Sequence, residues 1–168
     1  MRKANLGITL LLLLFFDMVP LNSYAEYENS NTAEACGLMN SMGMVTRGYK
    51  NPDGMGYFCS SPYKELGREF PLANNIAFYA EGDAQNVKKL KLVLNVNSKP
   101  NSEKAHIEFA NCVETLLKMA LKAALPQETK IAILTGSNGK WKINNASISV
   151  VRTDWPTGKG YDIKFIIE

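Results

Sequence analysis

The alternation of apolar and polar residues is clearest in the second half of the chain. Ile76, Phe78 and Ala80 alternate with Ala77, Tyr79 and Glu81. After Gly82-Asp83 the alternation resumes as Leu90, Leu92, Leu94 and Val96 against Lys89, Lys91 and Asn95. A period of two with one apolar face predicts a β-hairpin. Over residues 103–125 the period lengthens. Glu108, Asn111, Thr115, Lys118 and Lys122 form a polar stripe at steps of three and four, opposite Phe109, Val113, Leu116, Leu117, Ala120 and Ala124. That is the pattern of a helix lying on a sheet, with Ser102 placed to cap it. Pro126 interrupts, and residues 127–135 read as a second, short helix with Gly136 beyond its end. Residues 140–153 then read as a strand, with Ala146, Ile148, Val150 and Arg152 alternating against Ser147, Ser149 and Val151. A reversal over residues 154–160 leads to a last strand, in which Tyr161, Ile163, Phe165 and Ile167 form the apolar face.

The first half is less regular. Residues 33–42 read as a helix stopped by Gly43. A short hairpin is predicted next, with arms at 44–49 and 55–59 reversed by Asn51-Pro52-Asp53-Gly54. Pro62, Gly67 and Pro71 break any element between residues 60 and 74, so a long surface loop is expected there. The fold class is therefore α+β. An antiparallel sheet of about four strands, ordered strand-strand-helix-helix-strand-strand, carries its helices on one face and is preceded by a small disulfide-tied helix and hairpin. No βαβ alternation occurs, which argues against a parallel nucleotide-binding sheet.

The first 25 residues have a different character. Arg2 and Lys3 precede an apolar run over residues 6–16, and Ser23-Tyr24-Ala25 supplies a small-residue cleavage signature. This is the order of a secretory signal peptide, and the run is too short to cross a bilayer, which takes about 20 residues. Residues 26–168 then form a single exported domain, for 168 residues less a leader of 25 leaves 143, an ordinary size for one core. Glu26 follows the cleavage point, so a lipidated N-terminal cysteine is not indicated. A bacterial periplasmic or secreted protein fits best. In a eukaryotic secretory pathway Asn145-Ala146-Ser147 would read as a glycosylation acceptor. Of the three cysteines, Cys36 and Cys59 share one Gly- and Met-rich stretch and are paired here, while Cys112 sits in the helix pattern as a thiol.

Charge and chemistry narrow the function mainly by exclusion. The net charge is +3, which argues against a nucleic-acid binder. The single histidine, His106, has no partner serine motif and is expected to be packed or capping. Neither a phosphate loop nor a zinc motif occurs, and no metal or cofactor is indicated. Glu65, Glu69, Glu81 and Asp83 remain candidates for a carboxylate pair. Lys88, Lys89 and Lys91 read as solvated strand residues that discourage edge pairing, or as a site for an acidic partner. The informative excess is aromatic: Tyr57 and Tyr63 lie near the cysteine pair, and Trp155, Lys159 and Tyr161 lie in the last reversal, where aromatic side chains anchor interfaces at low entropic cost. These five are the candidate interface residues. The expected function is a non-enzymatic exported binding protein of the bacterial envelope, of inhibitor, immunity or envelope-assembly accessory type, whose partner is another envelope or secreted protein. The alternatives are a carboxylate-based hydrolase of envelope polymers and a small-ligand carrier. Mass spectrometry of the exported protein should find Glu26 at its N-terminus, and an intact leader would refute the cleavage site.

Overall fold

The computed structural model describes residues 27–68, 70 and 72–168; the leader, Glu69 and Pro71 lie outside the described residues. Seven strands are formed: β1 (Tyr57–Ser60), β2 (Lys64–Leu66), β3 (Asn74–Gly82), β4 (Val87–Val96), β5 (Gly139–Ile143), β6 (Ala146–Asp154) and β7 (Tyr161–Ile167). Among the described residues they are accompanied by the α-helices α1 (Thr32–Gly37), α2 (Ser102–Leu121) and α3 (Gln127–Thr135), besides short 3-10 turns. The strands make one antiparallel sheet in the order β1-β3-β4-β7-β6-β5, with β2 also pairing β3. The α+β class and the helix-bearing face are as read from the sequence.

Strand register explains the core. Phe78 of β3, Leu92 of β4, Phe165 of β7 and Val150 of β6 stand side by side in one row, and all four are buried. Ile76, Leu94 and Ile163 form the next row. Onto these rows α2 lays Phe109, Val113, Leu116 and Leu117, each fully buried. Burying side chains of this size is worth roughly 1.5–3 kcal/mol apiece, enough to outweigh the weak intrinsic preference of any one helix. Helix α3 adds Ile133 to the same cluster, and α1 adds Ala35 and Cys36. None of the described helices packs on the opposite face of the sheet.

Four expectations are corrected. The sheet has seven strands, because β1 and β2 join its edge at β3 and the region read as one strand over 140–153 is itself a hairpin. Asn144 turns the chain with a positive φ of 54°, a conformation that asparagine tolerates better than most residues. The expected loop over 60–74 contains β2, whose Lys64 and Leu66 face Ile76 and Asn74. The predicted arm at 44–49 is not a strand; only Lys50 makes an isolated bridge, to Phe58. Residues 57–60 pair with β3 instead, where an established strand offers a longer ladder than a two-strand hairpin can. Finally, α2 ends at Leu121 and not at 125, since Lys122 takes a left-handed conformation with φ 54°, and Ser102 is the first residue of the helix.

The N-terminal segment is tied down covalently. Helix α1, of six residues, is too short to persist alone. Asn31 caps it by accepting the Glu34 N–H at 3.1 Å, and the Cys36–Cys59 disulfide joins it to β1. Both sulfurs belong to the buried core. Cys112 is a free, buried thiol, and burial pushes its pKa up to about 11, so it stays protonated and unreactive at neutral pH. Replacing Cys36 and Cys59 together by serine should lower the unfolding free energy by about 2–5 kcal/mol in urea titration, whereas iodoacetamide should leave Cys112 of the native protein unmodified.

Candidate functional site

The residues expected to form an interface fall into three environments. Tyr57 stands opposite Gly82, which pairs with Val87 at the start of β4. Tyr161 stands opposite Val96 at its end. Nine residues of extended β4 therefore separate Tyr57 from Tyr161, about 30 Å at the usual rise of a strand. Tyr57 and Tyr63 lie at the β1 edge, whereas Trp155, Lys159 and Tyr161 lie at the far end.

At the far end the β6–β7 reversal is a braced turn. Trp155 accepts the Gly158 N–H at 2.8 Å and donates its own N–H to the Gly160 carbonyl at 3.0 Å. Lys99 donates from Nζ to the Gly158 carbonyl at 2.7 Å, tying the turn to the connection between β4 and α2. Gly160 is required here. A Cβ at that position would sit 2.5 Å from the Trp155 ring and 2.3 Å from the Val96 carbonyl oxygen. The indole is thus half-buried against its own turn, and Lys159 is exposed.

Tyr161 does not reach the surface, being only 5 % exposed. Its hydroxyl lies 2.9 Å from Nε2 of His106, whose Nδ1 lies 2.8 Å from the Leu134 carbonyl. A carbonyl can only accept, so Nδ1 carries the proton. In the neutral ring Nε2 then accepts from the tyrosine. The Arg152 guanidinium covers the other side of the Tyr161 ring at 3.8 Å and is held by Asp154 at 2.7 Å. Gly136 makes room for this stack, since an added Cβ would approach Arg152 to 3.0 Å. The cluster joins α2, the end of α3, β6 and β7, so the histidine is a packed one with both nitrogens satisfied. The sequence signal that could have paired His106 with Tyr161 is thin, for 55 residues separate them.

At the other end, the helix-free face bears a ladder of ion pairs. Lys91 pairs with Glu81 and lies 4.8 Å from the centre of the Tyr79 ring. Lys89 pairs with Glu168, and Lys88 pairs with Asp83 at 3.0 Å. The Asp83 carboxylate also accepts the N–H groups of Gln85 and Asn86, which together with Lys88 hold its pKa down at about 2. Farther along the same face Lys164 pairs with Asp162 at 3.0 Å. Each lysine of the sequence cluster therefore has a carboxylate, and the patch carries no surplus positive charge for a polyanion. Of the carboxylates proposed to converge, Glu81 and Asp83 do share one hollow, but each is matched to a lysine. Glu65 lies on β2, opposite Asn75, and Glu69 lies outside the described residues.

Tyrosines frame this end. Tyr49 stacks on Tyr57 with ring centres 5.9 Å apart, and its hydroxyl lies 2.9 Å from the Asp83 carbonyl and 3.1 Å from that of Asn86. It thereby clamps the N-terminal segment onto the β3–β4 turn. Tyr63, 57 % exposed, accepts from the Tyr79 hydroxyl at 3.5 Å; burial is the first cause of a raised Tyr79 pKa, and Tyr63 adds to it. Tyr49 and Tyr79 are not among the candidate interface residues read from the sequence.

Among the described residues no group of three or more His, Cys, Asp or Glu side chains is gathered for a metal ion, and no helix is long and apolar enough to cross a membrane. Comparison with protein-family models, curated proteins and solved structures finds no match for this chain. The Tyr161–His106 bond has a direct test: Tyr161→Phe keeps the ring beneath Arg152 but removes the donor to a buried nitrogen, and it should cost about 1–3 kcal/mol of unfolding free energy. An unchanged denaturation midpoint would show that the bond contributes nothing.

Proposed function

We propose that the protein is an exported, non-enzymatic binding protein that acts on another envelope or secreted protein, in the manner of an inhibitor, an immunity protein or an assembly accessory. The helix-free face of the sheet carries this reading. On it Val151 and Ile166 are partly exposed beside Lys164 and Lys91, Ala77 and Val93 are buried beneath their neighbours, and the ion pairs close within the molecule. A rigid wall of this kind gives a partner complementary area with little ordering cost. The Asp83 carboxylate is held ionised by the Gln85 and Asn86 backbone N–H groups and by Lys88, whereas a general acid needs a raised pKa.

The turn around Trp155 and Lys159 is the proposed anchor at the end of this wall, and Tyr57 and Tyr63 mark the opposite rim. A leader peptide, a buried disulfide and the burial of Tyr27, the second residue of the expected mature chain, are compatible with folding after export to a periplasmic or external compartment.

Photo-crosslinking in the producing cell tests the proposal. A crosslinking residue at Ser149, on the bare face, should capture one protein reproducibly, and the same residue at Glu114, on the exposed side of α2, should not. Trp155→Ala should then weaken that complex by about 2 kcal/mol, the threshold of an interface hot spot, with little change in melting temperature. Equal capture from Glu114, or none from Ser149, would refute the assignment.

A further inference from the structure

Beyond the protein contact just proposed, we infer that the hollow between β1 and the β3–β4 turn is a binding site for a neutral oligosaccharide. Two hollows meet on the helix-free face. One, of about 440 Å³, is lined by Met55, Tyr57, Phe58, Tyr79, Glu81 and Lys91. The other, of about 340 Å³, is lined by Glu81, Gly82, Asp83, Lys88, Lys89 and Glu168. Glu81 and Gly82 belong to both, so the two form one elongated depression.

Its lining selects a ligand by exclusion and by fit. Six charged side chains argue against an apolar molecule. Three lysines matched to three carboxylates argue against a polyanion or a polycation, because neither finds an uncompensated opposite charge. An added peptide strand is disfavoured as well, since the free edge of β1 is occupied: Phe58 and Lys50 exchange both backbone hydrogen bonds, at 2.9 and 3.0 Å. What remains is a ligand with C–H faces to lie on aromatic rings and many hydroxyls to share with ion pairs. Chains of pyranose sugars have both. Phe58 and the side of the Tyr79 ring away from Lys91 offer the ring surfaces. The ammonium protons and carboxylate oxygens of Lys91, Glu81, Lys89 and Glu168 are partly exposed and have hydrogen-bonding capacity beyond their mutual bonds.

The depression is also held in shape before any ligand arrives. Cys59, next to Phe58, is bridged to Cys36, and the Tyr49 hydroxyl fixes the β3–β4 turn. Gly82 allows the chain to close: a Cβ there would meet the Asn86 carbonyl oxygen at 2.0 Å.

The test is an NMR titration of the mature, oxidised protein with chitotetraose and with cellotetraose, using a heparin tetrasaccharide as the anionic comparison. The expected result is millimolar or tighter binding of at least one neutral sugar, with amide shifts centred on Phe58, Tyr79, Glu81 and Lys91. Tyr79→Ala should weaken it about tenfold, and Trp155→Ala, in the turn at the far end of the sheet, should leave it unchanged. Should Tyr79→Ala fail to fold, Glu81→Gln keeps the shape of the side chain while removing its charge and should give a comparable loss. No shifts at about 10 mM of either neutral sugar, stronger binding of the heparin fragment in the hollow, or undiminished binding by folded Tyr79→Ala would each overturn the inference. The protein contact would stand or fall separately, because its crosslinks and its Trp155 variant do not report on this hollow.

Discussion

The pairing of β4 with β7 is the joint on which the rest of the structure depends. Among the described residues it is the only ladder between the β3–β4 hairpin and the C-terminal strands, and it aligns Leu92 with Phe165 and Leu94 with Ile163 across a separation of about seventy residues. Closing so long a loop costs entropy before any ladder bond repays it. The repayment comes from the helical excursion between the strands. Helix α2 packs over β4 and β3, with Phe109 and Leu116 buried in the same cluster as Leu92 and Phe165. Sheet and helix therefore support one another: α2 supplies the longest cover of the inner rows, and its apolar stripe is buried against them.

Once this joint exists, the ends of the sheet acquire their roles. At one end β7 leaves the joint at Tyr161, and the phenol reaches His106 on α2, so the polar cluster fastens helix to sheet where the apolar rows run out. The braced turn that follows β6 is carried by that fastening. At the other end β4 leaves the joint toward its hairpin turn, and the N-terminal segment is brought in by the disulfide and by Tyr49. The two ends are built on opposite principles, one closing a polar network inside the molecule and the other leaving a row of ion pairs on its surface.

Periodicity made the central elements legible because each has a single buried face. In β7 every second residue is buried, in β3 and β4 the same inner series is buried with Ala77 and Val93 added from the other face, and in α2 the stripe repeats as the helix turns. Where the pattern failed, a local competitor had the same composition as its surroundings. The turn at Asn144 splits 140–153 without a glycine or a proline, and Ala146 to Val150 continue the alternation on its far side, so one strand and two look alike. Three-residue β2 is shorter than any reliable period and forms because β3 already presents an open edge. The pairing of Cys36 with Cys59 was legible from their shared stretch, and the loneliness of His106 from simple counting. Its bond to Tyr161 was not, since nothing local encodes contact between helix and strand across 55 residues. That contact also explains why Tyr161 was misread as a surface residue: it opens the inward-facing series of Ile163 and Phe165, and that parity points inward, but its proximity to an exposed turn pointed the other way.

A sheet with helices on one side must still manage the other. A bare face rich in apolar residues invites stacking with another sheet, and a face of unmatched charge repels itself. The observed compromise keeps Ala77 and Val93 low between longer neighbours, with Ala77 wholly buried although no described helix lies above it. Lys91 reaches across the Tyr79 ring to Glu81, and Lys164 bends to Asp162, so the long side chains shelter the short ones with their aliphatic stems while their charges cancel. Such a face is inert toward most surfaces for the same reason that it is open to a selective one. A ligand gains there only if it can replace several ion-pair contacts together and also lie flat on the exposed ring edges, which turns a solubility device into a source of discrimination.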